Sequence, residues 1–383
     1  MKTKSEYKTE LESKKVFLPE FVNYSIKYQS KDGEIELCDC LLEFQNIYTV
    51  IEVKERDKDY LEVENKNWFR NKVERNGINQ IVRFYNQIKE PNNAKFYDEK
   101  NNEIFINKTF RITPIIVFDN PSINDYKRVI FCRRINDYIN VFSLKDFNEA
   151  FDTLLIPYEI NLYLSFRIAA FKKDDTFLKS HLIIGEFGDK TILWGGGIRS
   201  EYELAQYYYG VRVNINDPNV GDPNSIAEKL YLFNKVTTHI RASLELGSKD
   251  KIVNREIISF INSVDISSAC GVAVRWQKCL SRCKEKDGYY SPYFLAKEET
   301  GLLLLSEPAS WNTEELIKLG EVLMVLYAYK RHLTDIYLIG FHSIDEEVET
   351  IFNVKKFSRN HFEYPDEELE DAIKRYEEAG IKI

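Results

Sequence analysis

ELCDCLLEFQNIYTVIEVKER, residues 36–56, reads as two β-strands joined by the tight link Phe44-Gln45-Asn46. The runs LL and IYTVI are apolar, as strands in the interior of a sheet must be. Asp39 stands at the end of the first strand, and Glu52 and Lys54 close the second. Residues i and i+2 of a strand share a face. Glu52 and Lys54 therefore point the same way, towards the sheet end that carries Asp39. Two carboxylates held close repel each other unless a cation lies between them. Hard oxygen ligands with room for water suit Mg²⁺ or Mn²⁺. A neighbouring lysine can position a water or offset charge on a phosphate. Spacing alone leaves a second reading open. Glu-x-Lys recurs at Glu6/Lys8, Glu12/Lys14 and Glu64/Lys66, and an exposed ion pair worth about 0–1 kcal/mol arises without any function.

The flanking sequence supplies context. Upstream, PEFVNYSIKYQ (19–29) reads as a short helix with Pro19 at its first position. Downstream, residues 67–88 carry a helical apolar stripe weakened near Gly77. ITPIIVF (112–118), RVIF (128–131) and INVF (139–142) read as strands, and 144–155 and 158–171 as helices. This order predicts an α/β fold, a central mixed β-sheet flanked by helices.

The stretch also resembles the core of the PD-(D/E)XK nuclease superfamily. Asp39 matches the first acid of that motif, and Glu52 and Lys54 match the second acid and the lysine. Gln80, in INQIVRFYNQI, resembles the glutamine on the corresponding helix of several branches. Trp68 and PYEINLYLSFR resemble a branch of bacterial nuclease-like proteins. The likeness spans roughly residues 15–170, and Cys38 stands where the motif has proline. It implies a restriction-endonuclease-like sheet and a Mg²⁺-dependent (or Mn²⁺-dependent) hydrolase acting on phosphodiester bonds. Asp39, Glu52 and the carbonyl of Val53 would bind the metal, and Lys54 would activate the water. Gln80 and an acid on the first helix would support the site. Glu20 is the candidate for that acid, with Glu10 and Glu12 as weaker alternatives. The implied partner is nucleic acid, DNA first and RNA as the alternative, in restriction or antiphage defence. A non-catalytic binding module on the same fold is the competing expectation.

The chain has 383 residues and a net charge of −8, a length that suggests two domains. Residues 1–150 hold equal numbers of acidic and basic side chains, so the remainder carries the whole excess. A basic footprint for nucleic acid must then be local. Arg70, Lys72, Arg75 and Arg83 on one helix, and Arg128, Arg133 and Arg134 beside a strand, are the candidates. The polar stretch KKDDTF (172–177) marks a boundary between a nuclease-like domain, 1–172, and an α+β domain, 173–383. The second domain would serve substrate choice, homodimer formation or sensing. In it, 225–247 and 312–329 read as long helices, and ACGVAVRW, TGLLLLSE and DIYLIGF as strands.

The weaker signals have plain structural readings. Cys38 and Cys40 lack histidine partners nearby, and Cys270, Cys279 and Cys283 form no zinc pattern. WGGGIRSE (194–201) reads as a turn before a helix and QYYYG (206–210) as packed aromatics, with anion binding and base stacking as the functional alternatives. No run of 18 apolar residues and no apolar leader is present, so a cytoplasmic protein with no membrane partner is expected.

Overall fold

The computed structural model describes residues 2–17, 19–30, 33–56, 62–89, 95–172, 182–187, 190–195, 198–212, 226–247, 251–282, 293–306, 313–343, 350–358, 364–381 and 383. The chain divides into two compact units, Met1–Val213 and Asn214–Ile383.

The first unit begins with α1 (Lys4–Phe17), followed by β1 (Val22–Ser30), β2 (Gly33–Phe44) and β3 (Ile47–Glu55). Next come α2 (Glu62–Trp68), a stretch of wider π-type turns (Phe69–Gly77) and α3 (Ile78–Lys89). The strands β4 (Phe96–Tyr97), β5 (Glu103–Ile104), β6 (Arg111–Asp119), β7 (Val129–Cys132) and β8 (Asp137–Ser143) follow. Helices α4 (Leu144–Leu154) and α5 (Pro157–Phe171), the hairpin β9 (Leu182–Phe187) and β10 (Lys190–Gly195), and α6 (Glu201–Arg212) complete the unit. Eight strands form one mixed sheet in the order β5-β4-β1-β2-β3-β6-β8-β7. The β2–β3 pair is antiparallel, whereas β3, β6 and β8 run parallel.

Burial explains the order of the central strands. Ile115, Ile116, Val117 and Phe118 of β6 are all fully buried, so β6 needs cover on both faces. One face meets α3 and the wide turns, where Val50, Ile116 and Phe118 pack with Val73, Ile81 and Phe84. On the other, α1 and α4 pack together, with Phe17 against Phe44 and Phe151. Gly77 lets the wide-turn segment approach the sheet, since a Cβ there would lie 2.9 Å from Cδ1 of Ile116.

Three expectations change in this unit. Residues 19–29 are not a helix: a single 3₁₀ turn, Pro19–Phe21, leads into β1, whose Val22, Tyr24 and Ile26 are buried with the period of a strand. The first helix lies earlier, as α1, and its buried face is largely Ser5, Thr9, Glu10 and Ser13, which hydropathy does not mark. The compact units divide beyond KKDDTF, whose residues 173–177 lie outside the described residues, because α6 packs on α4 and α5. Arg167 of α5, fully buried, donates from Nε to Oε1 of Glu201 in α6 at 2.6 Å. Tyr163 donates to the same oxygen at 2.6 Å. Tyr208 and Tyr209 of the QYYYG run are buried in this packing.

The second unit contains α7 (Ile226–Gly247), α8 (Lys251–Asn262), α9 (Ile266–Arg282), β11 (Tyr293–Lys297), β12 (Thr300–Ser306), α10 (Thr313–Arg331), β13 (Asp335–Ser343), β14 (Thr350–Ser358) and α11 (Asp366–Glu378). Its four strands run β11-β12-β13-β14, with β12 and β13 parallel. ACGVAVRW is helical, within α9, not a strand. Ala269, Val272, Ala273 and Trp276 are buried at helical spacing. Among the described residues no single helix is long and apolar enough to cross a membrane.

Candidate active site

Strands β2 and β3 pair in register from Phe44↔Ile47 to Cys40↔Ile51, and the pairing stops there. β3 continues along β6 as far as Glu55↔Asp119. The strands therefore part where Asp39 faces Glu52. Two irregularities mark the place. The β1–β2 register shifts between Ile26 and Lys27, and Ser25 has a left-handed φ of 46°. Bulges of this kind re-aim side chains at sheet ends.

The parting leaves the Val53 amide without a strand partner, and Asp39 takes it: Val53 N–H donates to Oδ2 of Asp39 at 2.6 Å. Lys54 Nζ donates to Oε2 of Glu52 at 3.0 Å and to the Val53 carbonyl at 3.0 Å, and lies 3.8 Å from Oδ2 of Asp39. One ammonium thus touches both carboxylates. Val50, two residues before Glu52, belongs to the core under α3, so Glu52 and Lys54 leave the sheet towards that side. Asp39 instead lines a small cleft with Glu6 and Thr9 of α1, of about 10 Å³, the space of a single water. Both carboxylates therefore lie at the gap, 3.8 and 3.0 Å from the same Lys54 ammonium.

Glu52 is fully buried, and its Oε1 accepts no hydrogen bond among the described residues. Burial, reinforced by the charge of Asp39, raises the Glu52 pKa well above the usual glutamate range despite the Lys54 ammonium. Burial and a like charge favour the protonated form of such an acid, and a bound cation would favour the ionised one.

Asp39, Glu52, Val53 and Lys54 are brought together as their spacing predicts. Gln80 stands half-buried near the start of α3, and among the described residues it forms no hydrogen bond to them. Glu20 stands in the 3₁₀ turn before β1, and its side chain lies outside the described residues. Glu10 pairs with Lys2 and Lys14, and Glu12 lies within ion-pair reach of Lys15.

The acid that α1 does bring is Glu6, which lines the cleft with Asp39 and lies within electrostatic reach of Lys54. The start of α1 is tied to the strand ends: the Ser5 amide donates to Oε2 of Glu55 at 2.8 Å and its hydroxyl to Oδ2 of Asp119 at 2.7 Å. Sequence patterns do not single out Glu6, Ser5, Glu55 or Asp119, because residues 4–17 lack an apolar stripe. The only available signal was the Ser5, Thr9, Ser13 spacing.

No family model, curated protein or solved structure matches the chain. Among the described residues no three His, Cys, Asp or Glu side chains group as a metal site. The oxygens gathered around Lys54 are the carboxylates of Asp39 and Glu52 and the Val53 carbonyl. That set still suits a hard divalent ion that keeps several of its waters. The Oε1 of Glu52, without a donor among the described residues, is the atom such an ion would satisfy.

Proposed function

We propose that the first unit is a metal-dependent nuclease that hydrolyses phosphodiester bonds in DNA. The observation that supports this reading is the Lys54 ammonium 3.8 and 3.0 Å from two carboxylates at a parted strand end, one of them fully buried with an oxygen that no donor reaches among the described residues. A buried acceptor left unsatisfied costs about 1–3 kcal/mol, more when charged, so the fold alone gains little from placing Glu52 there.

Asp39, Glu52 and the Val53 carbonyl would hold Mg²⁺ or Mn²⁺, which when bound stabilises charge on a phosphate oxygen and acidifies a water. As a ligand Glu52 would be ionised. The Lys54 ammonium would orient the attacking water and offset charge building on the phosphate. The amide of Val53 fixes Asp39 throughout, so this carboxylate needs no rearrangement. Glu6 adds a carboxylate at the rim. The place of such an enzyme in restriction or antiphage defence rests on the family resemblance alone.

A second reading has one observation in its favour. Lys54 already counters both carboxylates, which would suffice for a non-catalytic binding module. Incubating the full chain with plasmid, linear and single-stranded DNA and RNA, in Mg²⁺, Mn²⁺ or EDTA, separates the two. We expect cleavage of DNA that EDTA abolishes and that Lys54→Ala reduces by about 10²–10³-fold, the cost of removing one charge-stabilising group. Cleavage surviving both changes would sink the mechanism. Metal-independent binding without cleavage of any substrate would support the module, and cleavage of RNA alone would change the substrate.

A further inference from the structure

The chain is acidic overall, at −8, yet one surface of the first unit runs against that balance. From Phe69 to Lys89 the only acid is Glu74, against five lysines and arginines. Arg70, Lys72, Arg75 and Arg83 are exposed along this segment, whose Phe69, Val73, Ile81 and Phe84 are buried. The turn between β7 and β8 adds exposed Arg133 and Arg134. Arg134 reaches across and donates from Nη1 to Oδ1 of Asn79 at 2.7 Å, which joins the turn to α3. None of the six forms an ion pair among the described residues. By contrast, Arg128, next to the same turn in sequence, is buried against Asp146 and Glu201 and takes no part.

Cations gathered without acidic partners repel one another and raise a local positive potential that attracts a polyanion. Arginine suits phosphate because its planar fork donates two parallel hydrogen bonds. Asn71, Asn76 and Asn86, exposed along the same segment, are further neutral donors to phosphate or sugar oxygens.

We propose that the outward face of the Phe69–Gly77 segment and α3, continued by the β7–β8 turn, is the surface on which the phosphate backbone of a nucleic acid lies. This rests on the nuclease reading for the identity of the polyanion. It is distinct from the carboxylate site, since these six side chains meet phosphates along the strand and none touches the reacting one.

The test is fluorescence anisotropy of full-length protein with a labelled DNA duplex, and with RNA of the same sequence, in EDTA so that no cleavage intervenes. The variants are Arg70→Glu/Arg75→Glu/Arg83→Glu and, as a control of equal net charge, Lys145→Glu/Lys318→Glu/Arg375→Glu, with circular dichroism confirming that both fold. Reversing the face should weaken duplex binding by more than about tenfold. It should flatten the dependence of log K on log salt by about 0.9 for each phosphate that the protein no longer neutralises. The control should bind as the wild type does. Equal weakening in both triple variants, or unchanged binding in the first, would overturn the surface. So would wild-type protein that binds neither polymer. Tighter binding of RNA would keep the surface and reassign the polymer. Lys54→Ala separates this test from the catalytic one: binding intact with cleavage absent even in the wild type refutes the nuclease and keeps the surface. Cleavage by a face variant that binds normally does the reverse.

Discussion

Glu52 carries the most testable chemistry of any single residue. Its carboxyl is fully buried, and burial together with Asp39 raises its pKa. A raised folded pKa means that the folded chain holds this proton to higher pH than the unfolded chain does. The contribution to stability is therefore most favourable at acid pH and declines as pH climbs above about 4.3, the ordinary glutamate value, towards the folded pKa. Glu52→Gln has no such proton to lose. Urea midpoints should show it gaining on the metal-free wild type as pH rises from about 4 to about 8, and a gap that ignores pH would contradict the desolvation argument. Binding of Mg²⁺ should release the same proton. Its apparent affinity, read as the upward shift in Tm it produces, should then rise across that range and vanish in Asp39→Asn. Both acids and Lys54 were legible in sequence, since alternation fixes which residues share a strand end. That Asp39 would hold the Val53 amide was not, because it depends on β2 and β3 parting after Cys40.

Among the elements, β6 and α4 were readable because an unbroken apolar run and a 3.6-residue stripe have few alternative structures. β1 was misread because Pro19 and Glu20 look like a helix start, while the alternation of Val22, Tyr24 and Ile26 carried the right answer. α9 was misread because a short apolar run fits a strand or a buried helix equally well. The α5–α6 contact gives the prediction for this scale. Arg167 and Glu201 are both fully buried, and Arg167 also donates to the Arg128 and Val141 carbonyls at 2.6 and 2.7 Å. Removing one partner strands the other charge in the interior. Arg167→Ala should cost about 3–5 kcal/mol, seen as a lower urea midpoint with the slope unchanged. Glu201→Gln should cost less, since it keeps an acceptor for the guanidinium.

For the whole molecule, that contact sets where the first unit ends. A fragment of residues 1–213 keeps Glu201 opposite Arg167 and should unfold cooperatively in a calorimeter. A fragment ending at residue 172 leaves Arg167 buried without its carboxylate and should show no cooperative transition. If the shorter fragment unfolds as sharply as the longer, α6 is dispensable to the core. The sequence by itself determined the central strands, most of the helices, and the Asp39, Glu52 and Lys54 set, because these follow from periodicities of two and 3.6 residues that act over short separations. Only the tertiary structure decided that Asp39 takes the Val53 amide where the strands part and that the first helix brings Glu6. Only it showed that Arg128 is buried while Arg134 reaches α3, and that the first unit extends to α6. Each of these turns on which distant segments bury one another's charges, and no local pattern encodes that pairing.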